Sequence, residues 1–188
     1  LKLAPILISG TLLGILAFAT YLYIHVGGYK EPTFVNEDFG PIKIIFKHHI
    51  GAYHKILESI EPVEKWATEH NVNCNVSFGE YLDDPEVVAE DRLQSNGGCI
   101  VSAEPAALVG GISGGLLGGE ISYREIPRKA YLIGEFDGAP SIGPFKVYPK
   151  AMKWMNEHQF ILGGPVIEIY HTQGSAVHTQ YLFPLGKK

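Results

Sequence analysis

One six-residue pattern, K-W-x-x-E-H, occurs twice in this chain and constrains its fold more than any other feature. Lys65-Trp66-Ala67-Thr68-Glu69-His70 returns as Lys153-Trp154-Met155-Asn156-Glu157-His158 at an offset of 88 residues, and the two copies hold both tryptophans of the 188-residue sequence. Other landmarks keep nearly the same spacing: Gly51-Ala52-Tyr53 against Gly138-Ala139-Pro140 at 87, and Tyr81 against Tyr170 at 89. Landmarks recurring in one order at one period imply a duplicated unit of about 60 to 70 residues.

Each copy reads alike. In the first, the β-branched run Ile42 to Lys47 is a strand, Ile56, Ile60, Val63 and Trp66 have helical spacing, and Val76 to Leu82 alternates as a strand. A turn at Asp83, Asp84 and Pro85 follows, then a short strand around Cys99 to Val101. In the second, Ala130 to Phe136 is a strand, Tyr148 to His158 a helix, and Pro165 to His171 and Val177 to Leu185 are strands. Strand-helix-strand-strand twice over predicts an α+β fold whose sheets face or join each other, with the helices on one side. Module one is expected over about 40–103 and module two over about 121–186. Between them, 104–120 is rich in glycine and reads as a flexible linker; it is too short to span a bilayer and lacks the Gly-Lys-Ser/Thr of a phosphate loop.

The first 28 residues differ from the rest. No formally charged side chain lies between Lys2 and Lys30, and the 24 residues Leu3 to Val26 would reach about 36 Å as a helix, enough to cross a hydrocarbon core of about 30 Å. The expectation is an N-terminal transmembrane helix at 1–28, single-pass, followed by a domain at 29–188. A cleaved signal peptide is the alternative, with Ala17-Phe18-Ala19 as its processing site, but Tyr21 to Ile24 carry the apolar run past that point. Lys30 and Lys43 after the span, against Lys2 before it, favour a cytoplasmic domain. The remaining 160 residues hold 14 basic and 20 acidic side chains, a net charge of −6 with no basic cluster, which argues against nucleic acid and suits a cationic ligand. Cys74 and Cys99 fit no metal or redox spacing and suggest a reducing compartment.

In this order the chain resembles the GyrI-like family. The residues that carry the resemblance are Phe46-Lys47-His48-His49-Ile50-Gly51-Ala52-Tyr53, Tyr81-Leu82-Asp83-Asp84-Pro85 with Val88 and Asp91, Val166-Ile167-Glu168-Ile169-Tyr170, and Leu182-Phe183-Pro184-Leu185. The resemblance implies tandem modules around a small-molecule cleft. It is closest to the family's membrane-anchored branch, which includes autophagy receptors of the endoplasmic reticulum and would place the anchor in that membrane in a eukaryote. Those receptors continue into an acidic tail with an aromatic-x-x-aliphatic motif; the sequence here stops at Lys188, and Tyr123-Arg124-Glu125-Ile126, which fits that loose pattern, leads into an expected strand.

Alternation places Ile167 and Ile169 on one face, suited to packing beneath a helix, and Glu168 and Tyr170 on the other, facing the space between the modules. A carboxylate beside aromatics in a partly desolvated cleft attracts lipophilic cations by charge and by ring quadrupole. The resemblance points to the same glutamate. Gly79 and Tyr81 occupy the equivalent positions in module one, so one copy alone retains the acid. The expected ligand site is Glu168, Tyr170, Tyr81 and Gly79, with Trp154 and Tyr53 as further walls.

The leading expectation is a membrane-tethered module binding a hydrophobic, cationic small molecule without catalysis or cofactor. Two alternatives stand beside it. One is a hydrolase of reactive electrophiles with Glu168 as general base and Glu80, Tyr53 or Glu135 as partner. The other is an adaptor for a protein partner. Adjacent His48 and His49 point to opposite faces of a strand, and with His54 they form no metal set.

Overall fold

A computed structural model describes residues 3–102, 116–118, 120–173 and 176–187. Helix α1 (Leu3–His25) leads into strands β1 (Thr33–Phe39) and β2 (Ile42–Ile50), helix α2 (Leu57–Glu69), and strands β3 (Val76–Tyr81) and β4 (Gln94–Val101). Strands β5 (Leu116–Gly118), β6 (Ile121–Ile126) and β7 (Lys129–Asp137) follow, then helix α3 (Gly143–Glu157), β8 (Phe160–Leu162), β9 (Val166–Gln173) and β10 (Ala176–Lys187). The sheet order is β1-β7-β10-β9-β3-β4-β2-β6-β5, with β8 paired to β10. The result is the expected α+β duplication, consistent with a GyrI-like fold, with the two modules joined edge to edge through β3 and β9.

The leading strands are exchanged. β1 runs into β2 in sequence but pairs with β7, whereas β6 runs into β7 but pairs with β2. Each module's first strand therefore completes the sheet of the other. β1 escapes the sequence pattern because Thr33-Phe34-Val35-Asn36-Glu37-Asp38-Phe39 is largely exposed; it is held by backbone pairing at a sheet edge more than by burial. Of the expected glycine-rich linker, residues 104–115 and 119 lie outside the described residues, and Leu116 to Gly118 pair with β6 as β5.

The two sheet faces do different work. On one, Ile44, Phe78, Ile126, Tyr131, Ile133, Ile167, Ile169 and Leu182 form a core made of strands alone, as the two wings of the sheet close on each other. On the other, α2 packs on Ile45, Cys99, Val101 and Tyr123, and α3 packs on Leu132, Phe136, Tyr181 and Phe183. Ile167 and Ile169 thus face the strand-only core. Glu168 and Tyr170 lie on the helix-bearing face, the reverse of the arrangement expected from the sequence, because the helices occupy the face that the glycines at 97 and 134 leave open. A Cβ on Gly97 would meet Ile60, Ile56 and Ser59, and one on Gly134 would meet Val147.

The repeated K-W-x-x-E-H closes each helix. The His70 ring stacks on Trp66 at 4.2 Å and its Nδ1 bonds the Trp66 carbonyl; His158 treats Trp154 the same way at 4.0 Å. The chain then leaves through Asn71 and Gln159 with positive φ, and Lys65–Glu69 and Lys153–Glu157 pair along the last turn. Cys74 and Cys99 are joined as a disulfide that ties the exit of α2 to β4, which corrects the expectation of two reduced thiols.

Candidate functional site

The centre of the molecule is the antiparallel pair of β3 and β9, in which Ser77 faces Tyr170, Gly79 faces Glu168, and Tyr81 faces Val166. Glu168 is 4 % exposed. Tyr148, from the second turn of α3, donates its hydroxyl to Oε1 at 2.9 Å, and Tyr170 donates to Oε2 at 3.0 Å. Tyr81 lies 2.9 Å from the Tyr170 hydroxyl and donates to it, since Tyr170 spends its proton on the carboxylate. The Tyr53 ring packs edge-on against Tyr81 at 4.7 Å, with its hydroxyl bonded to the Asp83 carbonyl at 2.8 Å. Tyr181, opposite Glu168 on β10, closes the far wall.

Burial outweighs the two tyrosine hydrogen bonds and holds the Glu168 carboxyl near pH 7, against an ordinary 4.5. Burial and the Glu168 charge together push the hydroxyls of Tyr81, Tyr148 and Tyr170 well above their usual range, so all three remain neutral donors. The Ser95 hydroxyl is buried without a well-formed hydrogen bond among the described residues, and the buried hydroxyls of Thr179 and Tyr181 face each other. All three share the helix-bearing face with Glu168: Ser95 pairs across from Tyr81, Thr179 from Tyr170, and Tyr181 from Glu168. A titratable acid, a neutral tyrosine relay and further buried hydroxyls form a polar cluster in an otherwise apolar layer. Such a cluster can pair with a cation or hold a polar group at the carboxylate.

Glu168, Tyr170, Tyr81, Gly79 and Tyr53 come together here. Gly79 belongs because a Cβ there would press on the Tyr81 hydroxyl at 3.0 Å and the Tyr170 hydroxyl at 3.3 Å. Trp154 sits elsewhere, stacked between His158 and Phe160 at the end of α3. Tyr148 takes the place expected of it; Tyr148 precedes Pro149 within the expected helix, and nothing in its spacing distinguishes a ligand-facing tyrosine from a core one. Glu80 lies on the opposite sheet face, ion-paired with Arg124 and bonded by Asn96 Nδ2 at 2.7 Å. Its charge adds to burial in raising the Tyr131 hydroxyl to about 12. Glu135 accepts from Gln180 at 3.1 Å. Among the described residues no cluster of His, Cys, Asp or Glu suits a metal ion. Surface cavities of 410 and 290 Å³ lie away from Glu168, one at the foot of α1 and the other beside α2.

No family model and no curated protein sequence matches the chain. Solved structures do resemble it. The C-terminal domain of EcmrR superposes with a TM-score of 0.65 at 16 % identity, covering 84 % of this chain and 99 % of that one. A chain from the EcmrR–DNA complex gives 0.64 at 14 % identity and covers 98 % of this chain and 70 % of its own length. SAV2435 bound to tetraphenylphosphonium gives 0.51 at 9 % identity, over 82 % of this chain and 94 % of that one. At these identities the likeness is one of fold.

Proposed function

We propose that the chain is a membrane-tethered binding module that takes a hydrophobic cation between its two helices, with Glu168 as the charged pole. The observation that carries this reading is the buried carboxylate held by Tyr148 and Tyr170 with aromatic rings on either side. An acid placed there without a counter-ion costs stability, and a lipophilic cation that parts the rings to reach it would remove that cost while stacking against them. The fold shared with SAV2435 bound to tetraphenylphosphonium supports the choice of ligand class. α1 supports the tether: its window Ile8–His25 has a mean hydropathy of 1.5 and is not buried by the domain. The disulfide supports an oxidising location for the domain, against the cytoplasmic side favoured by flanking lysines.

The test is a titration of the full chain in nanodiscs with tetraphenylphosphonium, wild type against Glu168→Gln, so that partition into lipid is common to both. The expected loss is about 1 to 2 kcal/mol, roughly 5- to 30-fold in affinity. Equal affinities would overturn the site. Two other readings each have one observation in their favour. A carboxyl near pH 7 suits a general base, and turnover of a strained electrophile lost in Glu168→Gln would establish hydrolysis. Tyrosines packed directly round Glu168 suit a protein adaptor, which would bind its partner equally well in both variants.

A further inference from the structure

The end of α1 is clasped by the domain. Gly27, with φ +79, closes the helix, and a Cβ on it would meet the backbone of Gly138 at 3.0 Å and Asp137 at 3.1 Å. The Ala139 amide donates to the Val26 carbonyl at 2.9 Å. Lys146 Nζ donates to the carbonyls of Gly28 and Lys30 and pairs with Glu31, which also holds Lys150. Val26 ends the apolar run, so the turn 137–142 and the start of α3 lie at the level where the span leaves the hydrocarbon. At that level Phe145 is 81 % exposed in the first turn of α3, Tyr29 is 58 % exposed, and Pro140 is exposed beside them.

We infer that this end of the domain docks on the bilayer: Phe145 and Tyr29 enter the headgroup layer as aromatic anchors, with Lys30 beside them and Lys146 and Lys150 offsetting the Glu31 carboxylate. Asp137, the acid in the same turn, accepts a hydrogen bond from His178 Nδ1 at 2.7 Å. The inference rests on α1 spanning the membrane and adds a second, peripheral contact to it. The docking has a use. Tyr148, which holds Glu168, is three residues beyond Phe145, about 4.5 Å along the helix axis. A hydrophobic cation dissolved in the lipid surface would therefore meet α3 first and have only a short path to the acid.

Nitroxide labels on single introduced cysteines test this in the full chain reconstituted in phosphatidylcholine–phosphatidylglycerol vesicles; Cys74 and Cys99 are bonded to each other and do not react. Three positions are compared: Phe145→Cys, Leu13→Cys within the span, and Val87→Cys, which is 80 % exposed beyond the opposite end of β3. Docking predicts that position 145 is shielded from an aqueous nickel relaxant by about threefold or more relative to 87 and is correspondingly rich in oxygen. Nickel access at 145 equal to that at 87, with 13 buried in lipid, overturns the docking and leaves the span standing. Spin–spin broadening at 145 would put a second copy of the chain on this face and overturns it too. Nickel access at 13 removes the span, and the docking falls with it.

Discussion

Gly79 and Glu168 are equivalent positions of the two modules and also direct partners across the β3–β9 pair, so the pseudo-two-fold axis of the molecule passes between them. Symmetry-related residues normally stand apart; here they touch, and only one carries charge. A glutamate at both positions would set two buried carboxylates against each other, which raises the pKa of at least one by several units. The glycine removes that conflict and leaves room for the Tyr81 and Tyr170 hydroxyls above it.

Charging Glu168 should make the empty protein less stable. Its folded pKa of about 7 lies above the ordinary 4.5, so between these values the folded state binds more protons than the unfolded one. The penalty is absent below about pH 4.5, grows as pH rises and is complete above 7, reaching roughly 3 kcal/mol. Thermal melts of wild type and Glu168→Gln should therefore agree near pH 4.5 and diverge at pH 8, with the variant several degrees more stable.

Cation affinity should run the opposite way with pH. Tetraphenylphosphonium binds the carboxylate form more tightly, so its dissociation constant should rise as pH falls below 7, by a total of about the 5- to 30-fold that separates wild type from Glu168→Gln, and level off above 7. Titrations at pH 5.5, 6.5 and 8 measure this, and Glu168→Gln should show no such slope.

Gly79→Ala should alter the site more than the fold. The atoms nearest the new methyl are the far ends of two tyrosines rather than backbone, so the loss of stability should stay near 1 kcal/mol. Disturbing the Tyr81–Tyr170–Glu168 relay weakens a hydrogen bond to the charged carboxylate, which moves the Glu168 pKa further upward. Carboxyl-labelled NMR titration of both proteins reads the shift directly.

Reduction of the Cys74–Cys99 bond should cost about 3.5 kcal/mol, the chain-entropy value for a closed loop of this size, given a separation of 25 residues. Melts with and without reductant, with thiols counted after each, check it. Identical melts with both thiols free would show the bond to be thermodynamically idle.

The duplication, the strand alternation and the singular acid were all legible in the sequence, because a repeat imposes its own register and a period of two divides a strand into faces. Which face the helices take was not, since Ile167 and Ile169 can satisfy a helix or another wing of the sheet equally well. Trp154 attracted attention through its motif, yet the motif proves to be a helix terminator in which histidine stacks on tryptophan one turn back. Tyr148 left no signal: its role depends on α3 crossing Glu168, a fact of tertiary packing. The disulfide was equally silent, as two cysteines 25 residues apart carry no pattern until β4 lies beside the exit of α2.

The exchange of β1 and β6 has a consequence for how such a molecule can be divided. A single module cut free would present open strand edges where its partner's leading strand belongs, and a second copy of itself is the surface that fits them. In that homodimer the axis would be a true two-fold, and whatever residue stood upon it would appear twice, as two glycines with no charge or two glutamates in collision. A solitary buried carboxylate on the axis is available only to a chain that carries both halves in one covalent thread.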